Sequence, residues 1–327
     1  MFDIITFGSA TRDIFLRSRN FRIVGEKKFI TGKGICLSLG SKIEIKDIRF
    51  LTGGGGTNTA ATFANQRFKV AYCGMIGEDF AGKEVIKELE RFGISTKFVS
   101  KTKLKSTNYS IVLSPDGKER TILVYRGASG ELSKEHIPWS KSQTRWFYLA
   151  PLSGKSCYLF EKLVDFAIKN KIKIAVNPGN SQLSLAKNRL KRILKKIDIL
   201  ILNQEEASFL TKTPYQKEAE IFKKIDQFCP GIAIMTKGPA GVIVSNGEYL
   251  YRAQILKTKV IDRTGAGDSF ASGFLSGYLE SKGNIEYAIQ LGTANSASCI
   301  QKLGAKNGLL KKGKKWQKVK VQKEPCF

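Results

Sequence analysis

Short, mostly apolar runs alternate with amphipathic stretches along most of this 327-residue chain. Ile4–Phe7, Val70–Cys73, Trp146–Leu149, Ile172–Val176, Ile197–Leu202 and Ile232–Met235 have the length and composition of strands buried on both faces. Between them, Lys83–Phe92 sets Val85, Ile86, Leu89 and Phe92 at helical spacing, and Tyr158–Ile168 does the same with Leu159, Leu163, Phe166 and Ala167. Parallel strands need a long crossover, and a helix both supplies it and covers the sheet. The alternation therefore predicts a doubly wound α/β sheet. An apolar content of 42% is enough for the core of one large domain, expected over residues 1–310.

Two regions break this rhythm. Residues 12–51 hold short β-type runs at Phe29–Ile30, Ile35–Leu39 and Ile43–Phe50, separated by glycines. Residues 108–125 read as a hairpin, Tyr109–Leu113 and Thr121–Val124 around Pro115-Asp116-Gly117. Together they predict a small β-sheet outside the main one. A further hairpin, Val242–Ser245 with Tyr249–Tyr251, has Asn246-Gly247 at its tip and fits a type I′ turn. Residues 311–327 form a basic C-terminal segment. Lys311–Lys323 holds seven lysines, and its Val319 and Val321 alternate with them, which leaves a frayed tail and an edge strand both open.

Composition excludes several classes. The six cysteines are scattered without a Cys-x-x-Cys pair and the single histidine is His136, so a zinc site is not expected. The start runs directly into strand-like Phe2–Phe7, with no basic region or cleavage site of a signal peptide. No apolar stretch approaches the roughly 20 residues of a membrane span. These features predict a cytoplasmic protein with no membrane partner. The formal charge of +27 favours polyanions in general. A nucleic-acid-binding role is the rival reading, but Leu190, Ile193, Leu194 and Ile197 give the basic helix Lys187–Lys196 an apolar face, which makes its charges a solvated surface. No specific nucleic acid is expected.

The most informative segment is Asp262-Arg263-Thr264-Gly265-Ala266-Gly267-Asp268. Phe270, Phe274 and Tyr278 follow at helical spacing, so a helix begins within it. The unpaired N–H groups of a helix start suit a phosphate, and bare glycine backbone lets it come close. A carboxylate in the first turn can take the proton of an attacking hydroxyl. The same residues also read as simple capping by Thr264 or Asp262, with Asp268 favouring the helix dipole. Gly53-Gly54-Gly55-Gly56-Thr57-Asn58 precedes another helix, and four glycines in a row are costly unless a ligand or close packing needs bare backbone. Asn203-Gln204-Glu205-Glu206 follows Ile197–Leu202; Asn203 and Glu206 can orient a hydrated Mg²⁺ or form a capping box. Thr236-Lys237-Gly238-Pro239-Ala240-Gly241 follows Ile232–Met235 and can lie along a nucleotide or be a plain loop. Asp13 can hold sugar hydroxyls or a turn. Asp13, Asn203 and the Thr236 loop fall after the carboxyl ends of expected strands, where open α/β sheets bind ligands. A P-loop is absent, since Leu149 stands where Gly154-Lys155-Ser156 would require a glycine.

In this order the segments resemble the ribokinase-like (phosphofructokinase-B, PfkB) carbohydrate kinases from Ile4 to about Gly304, most specifically in Asp-x-x-Gly-Ala-Gly-Asp. The resemblance implies a three-layer, mostly parallel sheet with a β-lid from 12–51 and 108–125 that often mediates homodimers. It implies transfer of the ATP γ-phosphate to a hydroxyl of a sugar or sugar-like small molecule, with a nucleoside as the alternative acceptor. Asp268 matches the general base, and Gly265, Ala266 and Gly267 the anion hole. Asp13, Gly54 and Asn58 match sugar-binding positions. Thr236, Gly238 and Gly241 match an ATP-contacting loop, Asn203 an element linked to Mg²⁺ and phosphate, Glu206 its Mg²⁺ residue acting through water, and Asn295 a residue near adenine. Carbonyls around Asp262, Thr264, Cys299 and Gly304 match an activating monovalent cation such as K⁺. Two departures bear on the acceptor: Ala150-Pro151-Leu152 replaces the glutamate usual in ribokinases proper, and Arg126 falls where some relatives bind an acidic sugar.

Overall fold

The computed structural model describes residues 1–27, 29, 32–115 and 120–326. The chain runs through β1 (Phe2–Phe7), β2 (Thr11–Arg17), β3 (Arg22–Gly25), β4 (Lys33–Cys36), β5 (Asp47–Gly53) and α1 (Gly55–Asn65). β6 (Val70–Gly77), α2 (Phe80–Arg91), β7 (Ser95–Thr102), β8 (Asn108–Ser114), β9 (Thr121–Tyr125), β10 (Thr144–Leu149) and α3 (Leu159–Lys169) follow. Next come β11 (Lys173–Val176), α4 (Asn180–Leu183), α5 (Lys187–Leu194), β12 (Ile199–Asn203), α6 (Gln204–Thr211), α7 (Glu218–Phe228) and β13 (Ile232–Thr236). The last elements are β14 (Val242–Ser245), β15 (Tyr249–Ala253), α8 (Ala266–Glu280), α9 (Ile285–Cys299) and β16 (Val321–Pro325).

Among the described residues, ten strands form the main sheet in the order β16-β15-β14-β13-β12-β11-β10-β1-β6-β7. Every pairing from β13 to β7 is parallel, and β14, β15 and β16 extend it antiparallel. Each apolar run expected to be a buried strand is one. Ile5, Phe147 and Val176 pack beneath one helical layer with Leu163, Ile193 and Phe222. Ile4, Tyr72, Tyr148 and Ala175 pack beneath the other with Ala60, Phe274 and Ile289. This is the three-layer arrangement, and both faces are dry because both carry helices.

The irregular regions build the lid. β5, β2, β8 and β9 form a four-stranded sheet in that order. It is mixed: β2 runs antiparallel to β5 but parallel to β8. β8 and β9 are the expected hairpin, though Asp116 and Gly117 of its turn lie outside the described residues, as does Ile30 of the Phe29–Ile30 run. β3 and β4 make a separate two-stranded ribbon. The β14–β15 turn is not type I′. That turn needs positive φ at two residues, whereas only Gly247 (φ 85°) takes it; Asn246 instead accepts the N–H groups of Glu248 and Tyr249 on its side-chain oxygen. Of the two readings of the basic C-terminus, the edge strand is the one adopted: β16 pairs with β15, and Val319 is buried while Lys318 and Lys320 point to solvent.

Candidate active site

The start of α8 is organised to leave donors free. Gly265 is its N-cap with φ 77°, and a Cβ there would lie 2.4 Å from that of Ala305. No side chain caps the helix, contrary to the capping reading of Asp262 and Thr264. Asp262 instead ties the preceding turn together. Its Oδ1 accepts the N–H (3.0 Å) and hydroxyl (2.8 Å) of Thr264, its Oδ2 the N–H of Gly304 (2.9 Å), and Arg120 from the lid pairs with it at 2.5 Å. Ala266 N–H donates to Arg263 and Ser269 N–H to Gly265, but those of Gly267 and Asp268 find no acceptor among the described residues. Space beside Gly267 is open, with no atom within 4 Å of where a Cβ would stand. An anion can therefore reach unpaired N–H groups at the positive end of a 15-residue helix.

Asp268 stands in this first turn, and its Oδ2 accepts the Asn58 side-chain amide at 2.8 Å across 210 residues of sequence. Asn58 is buried in the first turn of α1, and its Oδ1 has no partner among the described residues. Burial pushes the Asp268 carboxyl above the ordinary range, opposed by the Asn58 hydrogen bond and the charge of Lys306. Asp13 lies in the middle of β2 rather than in a loop, 4% exposed, and burial raises its carboxyl to about 6.

The glycine run lies between these two carboxylates. A Cβ on Gly53 would strike Asp13 Oδ2 at 2.1 Å, and one on Gly55 would stand 3.6 Å from Asp268 Oδ1. Gly54 (φ 97°) turns the chain over the Ser9 carbonyl. Bare backbone is thus needed to bring the end of the lid strand, the start of α1 and the two acids together.

Asn203 and Glu206 form the capping box at the start of α6, each side chain accepting the other's N–H at 2.8 Å. Burial raises the Glu206 carboxyl above its ordinary value. Asn203 is paired in register with Thr236, so the two stand side by side on adjacent strand ends. Gly238 (φ 53°) and Gly241 (φ 90°) bound the tight turn beyond Thr236, and Gly238 faces open space. Asn295 requires a correction. It is fully buried, and its amide is spent on Thr62, the Ser269 carbonyl and the Leu310 N–H, so it knits α1, α8 and α9 instead of facing a nucleotide. Arg126 is exposed at the end of the lid. The Thr264 carbonyl, one of those offered for a monovalent cation, takes the Cys299 thiol at 3.8 Å.

Sequence reasoning missed Lys306. It is 5% exposed, and its Nζ donates to Thr52 Oγ1 (2.7 Å) and Glu88 Oε2 (3.0 Å). A lone lysine in Gly304-Ala305-Lys306-Asn307 reads as surface, and nothing in the sequence points to a partner 218 residues away. The same holds for Arg120, whose partner Asp262 is 142 residues distant.

A buried carboxylate, a helix start with free donors and a lid strand bearing a second acid come together on a ribokinase-like α/β fold. A profile of the pfkB family carbohydrate kinases matches residues 4–312. A sugar kinase of Archaeoglobus fulgidus is 30% identical over 246 residues, covering 74% of this chain and 95% of its own. A Haemophilus influenzae ribokinase is 30% identical over 269 residues, covering 79% and 83%. The Thermotoga maritima ribokinase structure superposes with a TM-score of 0.78 at 22% identity, covering 95% and 97%. The chain belongs to the pfkB family of carbohydrate kinases, and is a phosphotransferase with an alcohol acceptor.

Proposed function

We propose that this chain transfers the γ-phosphate of ATP to a hydroxyl of a sugar or sugar-like small molecule, with Asp268 as the base. The pairing of Asp268 with Asn58 beside the unpaired N–H groups of Gly267 and Asp268 carries this reading. The acceptor lies between lid and sheet, its hydroxyls on Asp13 and on the unpartnered Asn58 oxygen. Its reacting hydroxyl gives its proton to Asp268 as the oxygen bonds to the γ-phosphorus. The bond between that phosphorus and the β–γ bridging oxygen breaks, ADP leaves, and the Asp268 proton passes to solvent. Charge gathering on the transferred oxygens is met by the free N–H groups, which need no reorganisation.

The nucleotide runs from there toward Thr236, Gly238 and Gly241. β12 stands three positions from β1 in the sheet, about 14 Å. Among the described residues no three His, Cys, Asp or Glu side chains converge as a metal cage. Mg²⁺ keeps its waters and takes one or two carboxylates beside phosphates, and Glu206, with Asn203, would hold it. When bound, Mg²⁺ supplies charge neutralisation of the phosphates. The lid exposes Ile48, Phe50, Leu123 and Tyr125, each about half, which supports a homodimer through the lid. Light scattering is expected to give twice the 36.3 kDa chain mass; a monomer at micromolar concentration would reject the dimer.

An ADP-release screen over sugars, sugar phosphates, sugar acids and nucleosides, with the product isolated, tests the assignment. Phosphorylated sugar or sugar derivative is the expected product. Product from nucleosides alone would move the chain to the nucleoside branch, and ADP release without any acceptor product would reject the reading.

A further inference from the structure

A cavity of about 750 Å³ lies between the inner face of the lid and Val260–Arg263, the segment leading into the turn before α8. It is separate from the Asp268–Asn58 pair, and neither residue lines it. Its basic side chains are Arg17, Lys33, Arg49, Arg120 and Arg263, against the carboxylates Asp47 and Asp262. Both acids are already matched, Asp47 by Arg49 at 3.0 Å and Asp262 by Arg120. Arg17 and Arg263 have no carboxylate partner among the described residues, so the described lining carries uncompensated positive charge. Phe15 and Val112, both buried, give it an apolar wall.

Register connects this cavity to the reaction centre. Side chains alternate along a strand, so Asp13, Phe15 and Arg17 share one face of β2. Their cross-strand partners are Leu51, Arg49 and Asp47 on β5, and Ser110, Val112 and Ser114 on β8. This face therefore offers a carboxylate for hydroxyls at one end and guanidinium groups at the other, four residues or about 13 Å apart. Arg17 lines the cavity and Asp13 does not, so an acceptor would have to span that distance along the face. The nucleotide phosphates have their own donors at Gly267 and Asp268, and a neutral acceptor would leave this charge unused.

We propose that the acceptor carries its own anionic group, a phosphate or a carboxylate, seated against Arg17 in the lid cavity while its hydroxyl end lies at Asp13 and Asp268. This rests on the kinase reading above. Arginine pairs with either anion through two parallel hydrogen bonds, and a charge-assisted contact of this kind changes affinity by about 10- to 100-fold.

The test compares hexoses, their 6-phosphates and the matching sugar acids as acceptors at saturating ATP, with the wild type, Arg17→Met and Arg17→Lys. The wild type is expected to show a KM for one anionic series about 10- to 100-fold below that for the hexoses. A phosphate preference and a carboxylate preference tell the two sources apart. Arg17→Met should raise that KM by a similar factor while kcat and the KM for ATP hold, and Arg17→Lys should restore part of it. Equal KM for neutral and anionic acceptors, phosphorylation of nucleosides alone, or an unchanged anionic KM in Arg17→Met would overturn the inference and leave the kinase standing. Absence of any phosphorylated product would overturn both.

Discussion

Asp268→Asn is expected to lower kcat by about 10²–10⁴-fold, the usual contribution of a positioned general base, while the KM for ATP stays near its wild-type value. The substitution keeps the shape of the side chain and an oxygen able to accept from Asn58 Nδ2, now 2.8 Å from Asp268 Oδ2. It removes only the capacity to take a proton. The free N–H groups of the first turn belong to the backbone and stay available to phosphate. Burial raises the Asp268 carboxyl above the ordinary range, which brings a carboxylate closer to the working pH of a useful base. The wild-type rate should accordingly fall with acid through a pH above that of a free carboxylate. Steady-state kinetics with a nucleotide-binding measurement would show this, and near-normal turnover in Asp268→Asn would remove Asp268 from the role of base.

The main sheet was legible because its strands are buried on both faces. Val70–Gly77 is buried throughout, and such a strand has no polar face to blur the pattern. The helix starts were legible too: glycines at 53–56 and Gly265 mark where backbone must come close to something. What they come close to was not. The lid pairs β2 in parallel with β8, strands separated by some ninety residues, and no local pattern encodes that partner. The charges behaved similarly. Asp13 could be read as a turn residue because its burial comes from tertiary packing, and Lys306 and Arg120 because their carboxylates lie far along the chain. Asn295 shows the opposite failure. A position matched by resemblance implied a ligand contact, but the three partners that satisfy its amide leave it no role outside the core.

Arg120 and Asp262 link the lid to the turn before α8. One carboxylate orders Thr264 and Gly304 and also receives the lid's guanidinium, so the two share a fastening point. The lid and the turn before α8 are thereby joined through a single buried side chain.

Lys306→Met is expected to destabilise the fold by about 3–5 kcal/mol at neutral pH, the cost of removing one member of a buried ion pair. Its side chain is 3% exposed and that of Glu88 16%, so solvent screens the pair little. Methionine fills much of the volume and strands Glu88, while Asp13 and Asp268 lose the cation that opposes their desolvation. The pH dependence has a definite sign. Asp13 holds its proton up to about 6 in the folded state against an ordinary 3.8, so between those values the folded state binds more protons. Stability contributed by that proton is present below about 4 and is lost as pH rises through about 6. Without Lys306 the folded value moves higher, and the loss extends across neutral pH. Urea unfolding should therefore give a larger deficit for Lys306→Met at pH 8 than at pH 5. Adding Glu88→Leu should recover part of it by removing the stranded carboxylate. The acid limb of kcat/KM should also move upward, since both site carboxylates lose the same cation. A deficit that is identical at both pH values, with an unmoved acid limb, would reduce Lys306 to a packing residue.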